Sequence, residues 1–197
     1  HNRKRWLVGL SLGVGPGKVT VIDPTAEEVK YFNTDWQEGM TPGFRFGWVF
    51  IPNRLMVSFE NKQWLNEQGA PGAPEGEIIK LRTNAQHYSF ALTWFPGSIT
   101  GPTGGIYLKG GVGWANARFT VLEALDEPSE HGDTFEKLYL NDDTGLAMFG
   151  EMGYEFRIFS PFAAGLGVSY NYMDLPDGLV FKDTKSLAVG LTLNWYF

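Results

Sequence analysis

The sequence predicts an all-β protein, an eight-stranded antiparallel up-and-down transmembrane β-barrel with long connections at one end and short turns at the other. Three observations predict this fold. Apolar side chains recur at every second residue in eight segments, small or charged residues occupy the opposite face of each segment, and long and short connections alternate along the chain. No stretch approaches the roughly 18 apolar residues of a transmembrane helix.

The last predicted strand carries the alternation most clearly. Leu187, Val189, Leu191, Leu193 and Trp195 alternate there with serine, alanine, glycine, threonine and asparagine. Small residues suit the inner face of a narrow barrel, where side chains from all strands converge, so the large apolar face points outward. The eight strands are expected at residues 5–15, 41–50, 55–60, 85–95, 105–121, 145–159, 162–172 and 185–197.

The lengths of the connections predict how the barrel is oriented. An even number of strands brings both termini to one end of the barrel. The long connections fall at the opposite end, at residues 16–40, 61–84, 122–144 and 174–184. Outer-membrane barrels have brief periplasmic turns and longer external loops, so the long connections are expected outside the cell.

A soluble eight-stranded barrel of the lipocalin type also fits this length but has the opposite polarity. It would hold its large apolar side chains inside and its polar side chains outside. Here the charged and small residues share one face and the aromatic residues take the other. Lipid around the outside of the barrel requires this partition, because outward side chains then meet hydrocarbon.

The amino-acid composition limits the number of domains and the kinds of site and partner that are expected. The 197 residues form a single domain, 1–197, without a linker, and the absence of cysteine excludes disulfides and thiolate metal sites. A net charge of −6 and the lack of a basic face argue against a nucleic-acid partner. No cofactor is expected. No signal peptide is visible ahead of the first strand, so the chain is expected to be either already processed or not exported.

The C-terminal segment 191–197, Leu-Thr-Leu-Asn-Trp-Tyr-Phe, and the glycine-rich segment 106–115 carry a family resemblance. The chain resembles the small outer-membrane β-barrel superfamily of Gram-negative bacteria, which includes the OmpA transmembrane domain, OmpX and OmpW. The resemblance implies an outer-membrane location, contact with outer-membrane lipid and lipopolysaccharide, and insertion by the barrel-assembly machinery. Trp195 and Phe197 then look like the assembly signal.

Aromatic residues near strand ends are expected to form the interfacial girdles that anchor a barrel in its membrane. These residues are Trp6, Trp48, Phe50, Trp64, Trp94, Phe95, Trp195 and Phe197. A carbohydrate site built from Trp36, Trp64 and external loop residues is the alternative explanation, but aromatic stacking sites need a concave surface.

His87 and Ser89 form the sharpest enzyme candidate, because outer-membrane lipid A deacylases of the PagL type carry a His and a Ser two apart on one strand. Parity, however, places both residues on the inner face, where an acyl substrate cannot reach them. A calcium site in the acidic loop is also considered, at Glu123, Asp126, Glu127, Glu130, Asp133, Glu136, Asp142 and Asp143. The ligand spacing of a calcium loop is missing, so a solvated loop is expected.

Charged residues on the inner face are expected to pair and to obstruct the lumen. Setting residue 50 opposite residue 55 brings Arg45 opposite Glu60. Setting residue 120 opposite residue 144 brings Lys109 opposite Glu155, with Glu151 and Arg157 close along the same strand. No catalytic, cofactor or metal residue is expected.

These features favour a non-enzymatic barrel that acts as a membrane anchor, whose external loops contact a protein partner, a surface or a larger assembly. A narrow pore for small solutes is the alternative, as the OmpW resemblance implies. A lipid A-modifying enzyme is the third hypothesis. The fold by itself does not decide among them.

Overall fold

The computed structural model describes residues 6–23, 30–33, 35–69, 79–97, 105–124, 135–159, 161–176 and 181–197. These ranges form antiparallel β-strands, and they contain no helix long and apolar enough to cross a membrane. The strands are β1 Trp6–Asp23, β2 Lys30–Asn33, β3 Gln37–Ile51, β4 Leu55–Gly69, β5 Ile79–Trp94, β6 Ile106–Ala124, β7 Phe135–Phe159, β8 Phe162–Asp174 and β9 Phe181–Tyr196.

Pairing between β1 and β9 closes the sheet into a barrel. The short β2 pairs with residues 20–23 of β1, and β3 pairs with residues 6–17 along the same edge of β1. β2 and β3 therefore occupy one strand position together. The barrel therefore has eight positions, as predicted. Both termini meet at one end, where Trp6 and Phe197 exchange two backbone N–H···O hydrogen bonds of 3.0 Å.

The strands are staggered around the barrel. The stagger is measured by following paired residues once around the barrel. A path that starts at Gly9 on β1 returns to β1 at Val19, ten residues further along. It passes through Arg45, Glu60, Ser89, Gly113, Ala147, Met173 and Thr184. Such a shear tilts the strands relative to the barrel axis. As a result, side chains from strands that are not neighbours reach the same level of the lumen.

Several strands are longer than the predicted segments, so the connections between them are shorter. β4 continues to Gly69 and β5 begins at Ile79, which leaves little of the predicted connection 61–84. β7 begins at Phe135, within the predicted connection 122–144, and β2 lies within 16–40. Some of the added segments, such as residues 61–69 of β4, are mostly polar and lack apolar alternation. Backbone hydrogen bonds alone continue the ladder there, and hydrophobic periodicity does not detect them.

The two faces of the wall separate as predicted, with large apolar side chains outward and small or charged side chains inward. Six of the eight predicted girdle residues are exposed on the outside, namely Trp6, Trp48, Phe50, Trp94, Trp195 and Phe197. The prediction is wrong for Trp64 and Phe95, which are each 2% exposed. Trp64 shares the inner face of β4 with Glu60 and Lys62, because that strand continues past its predicted end.

Candidate functional site

A network of six charged side chains fills the middle of the lumen. Three carboxylates, Glu60, Glu151 and Glu155, meet three cations, Arg45, Lys62 and Lys109, and all six residues are buried. Equal numbers of opposite charges leave this group without net charge. Buried ions persist when they are paired and hydrogen-bonded, and these are.

Four of these residues form one cluster. Lys109 Nζ lies 3.0 Å from carboxylate oxygens of both Glu60 and Glu151. Lys62 binds Glu151 directly and lies 3.8 Å from Glu60. Two hydroxyls complete the cluster: Tyr107 donates to Glu151 at 2.7 Å and Ser58 donates to Glu60 at 3.0 Å. Each carboxylate therefore accepts several charged or polar donors.

The remaining pair of charges forms a second cluster nearer the termini. Arg45 Nη2 is 4.0 Å from Glu155, and Arg45 Nε donates to Asn194 at 3.0 Å. The Asn194 amide and the Tyr196 hydroxyl both donate to Glu155, at 2.8 and 2.7 Å. This cluster joins β3, β7 and β9 across the lumen.

The structure revises the predicted partners within this network. Arg45 lies directly opposite Glu60 on the β3–β4 ladder, but its close side-chain contacts are with Asn194 and Glu155. Lys109 lies opposite Glu151, so the predicted register that placed it opposite Glu155 is wrong. β7 begins before its predicted start, and the register between β6 and β7 differs from the predicted one as a result. Arg157 stands apart, with its guanidinium 5.4 Å from the Tyr196 ring centre.

Apolar layers lie at both ends of the network. Toward the termini, Leu7, Val49, Met56, Ala163 and Tyr196 form one buried cluster. Toward the long connections, a second cluster consists of Val19, Trp64, Ala85, Ala115, Ala117, Ala147, Met173 and Leu175. The Trp64 ring extends past β3 to β1 here, because a Cβ on Gly17 would stand 2.5 Å from it.

One small cavity remains beside the charged network. Its volume is about 20 Å³, and its lining includes Ser11, Thr41, Lys62, Glu151 and Thr192. A space of this size holds about one water molecule.

His87 and Ser89 face this lumen, where parity placed them. Nδ1 of His87 lies 2.8 Å from the Ser89 hydroxyl, and both residues are buried. The His87 ring packs against Phe149 at 5.3 Å. The pair has hydrogen-bonding geometry but no face toward lipid, so an acyl chain in the bilayer cannot reach it.

The acidic loop lies partly outside the described residues, and so do Asp126, Glu127, Glu130 and Asp133. Within the described ranges, no group of three or more His, Asp or Glu side chains could hold a metal ion. Trp36 is exposed while Trp64 is buried, so the structure does not bring these two rings to a shared carbohydrate surface.

The proposed assembly residues end the closing strand on its outer face. Trp195 stacks against Phe162 at 5.8 Å and contacts Phe197 at 5.6 Å. Sequence reasoning missed Lys62, Tyr107, Asn194 and Tyr196 as partners in the network. Their inward parity was a usable signal, but their partners depend on the stagger between strands.

No family model matches this chain, and no curated protein matches it. Solved structures do. Ail, the attachment invasion locus protein of Yersinia pestis, solved with the heparin analogue sucrose octasulfate, has a TM-score of 0.56 at 14% identity, covering 97% of this chain and 99% of that one. Neisserial surface protein A has a TM-score of 0.52 at 12% identity, covering 100% and 99%. With its inward charges, outward apolar wall and eight strand positions, the chain has the fold of the small outer-membrane β-barrels.

Proposed function

We propose that this barrel is a membrane anchor that presents a β-sheet outside the membrane to a protein partner. The supporting observation is the length of the β6–β7 hairpin. Its ladder continues above the apolar wall, from Ala117 opposite Asp143 to Ala124 opposite Phe135. At about 3.3 Å per residue, reduced by strand tilt, this projects roughly 20 Å beyond Trp114 and Leu146, an exposed apolar pair of the wall.

One edge of this projecting sheet is available for pairing. β8 pairs with β7 only from the Asp174–Leu146 pair toward the end of the barrel where the termini meet. Residues 135–142 therefore have β6 on one side and no strand partner on the other, within the ranges that the structure describes. A strand edge with unpaired N–H and C=O groups binds extended polypeptide by β-augmentation.

The charge of the hairpin indicates which class of protein partner would bind it. Residues 122–144 contain eight acidic residues and one basic residue. An acidic segment favours an extended partner segment rich in lysine or arginine. Ail was crystallised with a sulfated heparin analogue, but a polyanion does not complement this acidic hairpin.

The pore and the enzyme hypotheses have less support. The described lumen contains a paired charge network between two apolar layers, which favours an anchor over a channel. We expect no large steady single-channel conductance in planar bilayers, and observing one would favour the pore. The buried His87–Ser89 pair argues against lipid hydrolysis. Mass spectrometry of lipid A from cells with and without the protein should show no change.

A peptide-binding assay tests the proposed edge. The protein in nanodiscs would be titrated with a fluorescent ten-residue peptide of alternating Lys and Thr, or of alternating Glu and Thr. The basic peptide should bind, more weakly as salt is raised, and the acidic one should not.

Proline substitutions then separate pairing from charge alone. Neighbouring residues on a strand direct their N–H groups to opposite edges, so Leu140→Pro and Asn141→Pro act on different sides of β7. One variant should abolish binding while leaving the hairpin folded. Equal binding by both variants and the unmutated protein would overturn the proposed edge.

A further inference from the structure

The outer wall of the barrel has one sector that departs from the apolar pattern. Asn61 and Gln63 on β4, Gln86 on β5 and Asn116 on β6 face outward, on the same faces as Phe59, Phe90 and Val112. Gln63 is paired with Gln86, and Gln86 with Asn116. Asn61 lies between Phe44 and Tyr88, so the amides reach down to the level of the aromatic wall.

A cleft of about 660 Å³ opens beside these amides. Gln86, Tyr88, Trp114, Asn116, Arg118 and Thr144 line it. The Trp114 and Tyr88 rings lie nearly parallel at its lower end, with centres 6.0 Å apart and planes 21° apart. Amide, hydroxyl and guanidinium groups stand above an aromatic platform in which Trp114 is half exposed and Tyr88 is less exposed.

Polar side chains continue beside the cleft. Asn84, opposite Arg118 on the β5–β6 ladder, lines a neighbouring cavity, and its side-chain oxygen is buried without a hydrogen-bond partner. Interfacial tryptophan and tyrosine are common in membrane proteins and alone would indicate only a girdle. Outward amides at this level are different, because hydrocarbon cannot satisfy them.

The combination of an aromatic platform and flanking amides determines which ligand fits. Sugar rings have an apolar C–H face that stacks on aromatic rings and hydroxyls that exchange hydrogen bonds with amides. Phospholipid headgroups have no such ring face. Below the platform, Phe90 and Val112 are more than 60% exposed and offer an apolar surface to acyl chains.

We propose that this cleft, at the outer boundary of the β5–β7 wall, binds the saccharide headgroup of a membrane glycolipid. Trp114 and Tyr88 stack beneath a sugar ring, while Gln86 and Asn116 hydrogen-bond its hydroxyls. The acyl chains extend down the wall over Phe90 and Val112. The inference depends on the barrel's place in an outer membrane and is independent of the proposed protein partner.

Native mass spectrometry of the intact barrel released from detergent micelles tests the site. The probes are lipid A, its phosphate-free form and phosphatidylethanolamine, each added at the same concentration. We expect one glycolipid per barrel, at about tenfold higher occupancy than phosphatidylethanolamine. The phosphate-free form should bind as well, because the sugar rather than the phosphate is recognised.

Variants assign the binding to the cleft. Gln86→Leu with Asn116→Leu makes a lipid-facing wall more apolar, so the barrel should fold while glycolipid occupancy falls about tenfold. Trp114→Leu should act in the same direction. Tyr170→Leu, on the exposed outer face of β8, is the matched control and should change nothing.

Three outcomes would overturn the proposal. These are equal occupancy by phosphatidylethanolamine, unchanged glycolipid binding by the double leucine variant, and loss of binding on removing the phosphates, which would indicate an anion site at Arg118 instead. Heat-dependent gel mobility and circular dichroism verify that each variant is folded, so reduced binding is not mistaken for misfolding.

Discussion

Lys109 Nζ lies 3.0 Å from a Glu60 carboxylate oxygen, although their strands β6 and β4 are separated by β5. Both side chains are 1% exposed, and Glu151 lies at the same distance from the lysine. The contact crosses the inside of the barrel. It therefore ties β4 to β6 and β7, which pair directly with each other but are separated from β4 by β5.

Removing either partner of this contact should destabilise the barrel clearly. Lys109→Ala and Glu60→Ala each leave an uncompensated buried charge, which commonly costs about 3–5 kcal/mol, less if water enters the lumen. The double variant should cost less than the sum of the two, as measured by urea unfolding in lipid vesicles. The exposed pair Arg82–Glu67 is the matched control, with an expected coupling of about 0–1 kcal/mol.

A second double-mutant cycle combines Arg45→Ala with Glu60→Ala and is also measured by urea unfolding in lipid vesicles. Arg45 and Glu60 are registered opposite each other, while the close contacts of Arg45 are with Asn194 and Glu155. Both single variants should be destabilising and their losses should not add. Additive losses would show that the two clusters are energetically separate.

The close approach of Trp64 to Gly17 predicts a specific steric effect. A Cβ at residue 17 would lie 2.5, 2.6 and 2.9 Å from Trp64 ring atoms, so Gly17→Ala should destabilise the barrel by about 1–3 kcal/mol. In a Trp64→Ala background the same substitution should cost much less. If the cost of Gly17→Ala is the same in both backgrounds, Trp64 does not occupy the lumen.

The C-terminal residue is expected to act in assembly through its side chain. Phe197→Ala retains the two backbone hydrogen bonds to Trp6 and removes only the ring, so it separates a recognition signal from strand closure. Folded protein recovered from the outer membrane at native expression should fall for this variant and for deletion of Phe197. Trp36→Ala, at an exposed site near the long connections, should leave the yield unchanged.

The orientation of the barrel can be tested by labelling, because the chain has no cysteine. A Glu130→Cys variant should react with a membrane-impermeant maleimide in intact cells. An Arg54→Cys variant, in the short β3–β4 turn, should react only after the outer membrane is permeabilised. The reverse pattern would invert the assigned orientation.

The sequence by itself determined the number of strand positions, the end of the barrel where the termini meet, and the face on which most side chains lie. Each of these follows from the two-residue alternation of side chains along a strand, which can be read from each strand separately. Leu187, Leu191 and Trp195 reveal their outward face in this way, as Arg45 and Glu60 reveal their inward one.

Only the tertiary structure decided which groups meet. Lys109 contacts Glu60 and Glu151 because the shear of ten residues sets the level of each side chain in the lumen, and no single strand encodes that stagger. The inward direction of Trp64 was missed because backbone pairing extends β4 beyond its predicted end. The amide-lined cleft near Gln86 was missed because it depends on the register that sets Gln86 beside Asn116. Closing the barrel fixes both the stagger and the strand lengths, because every strand must match the registers of two neighbours at once.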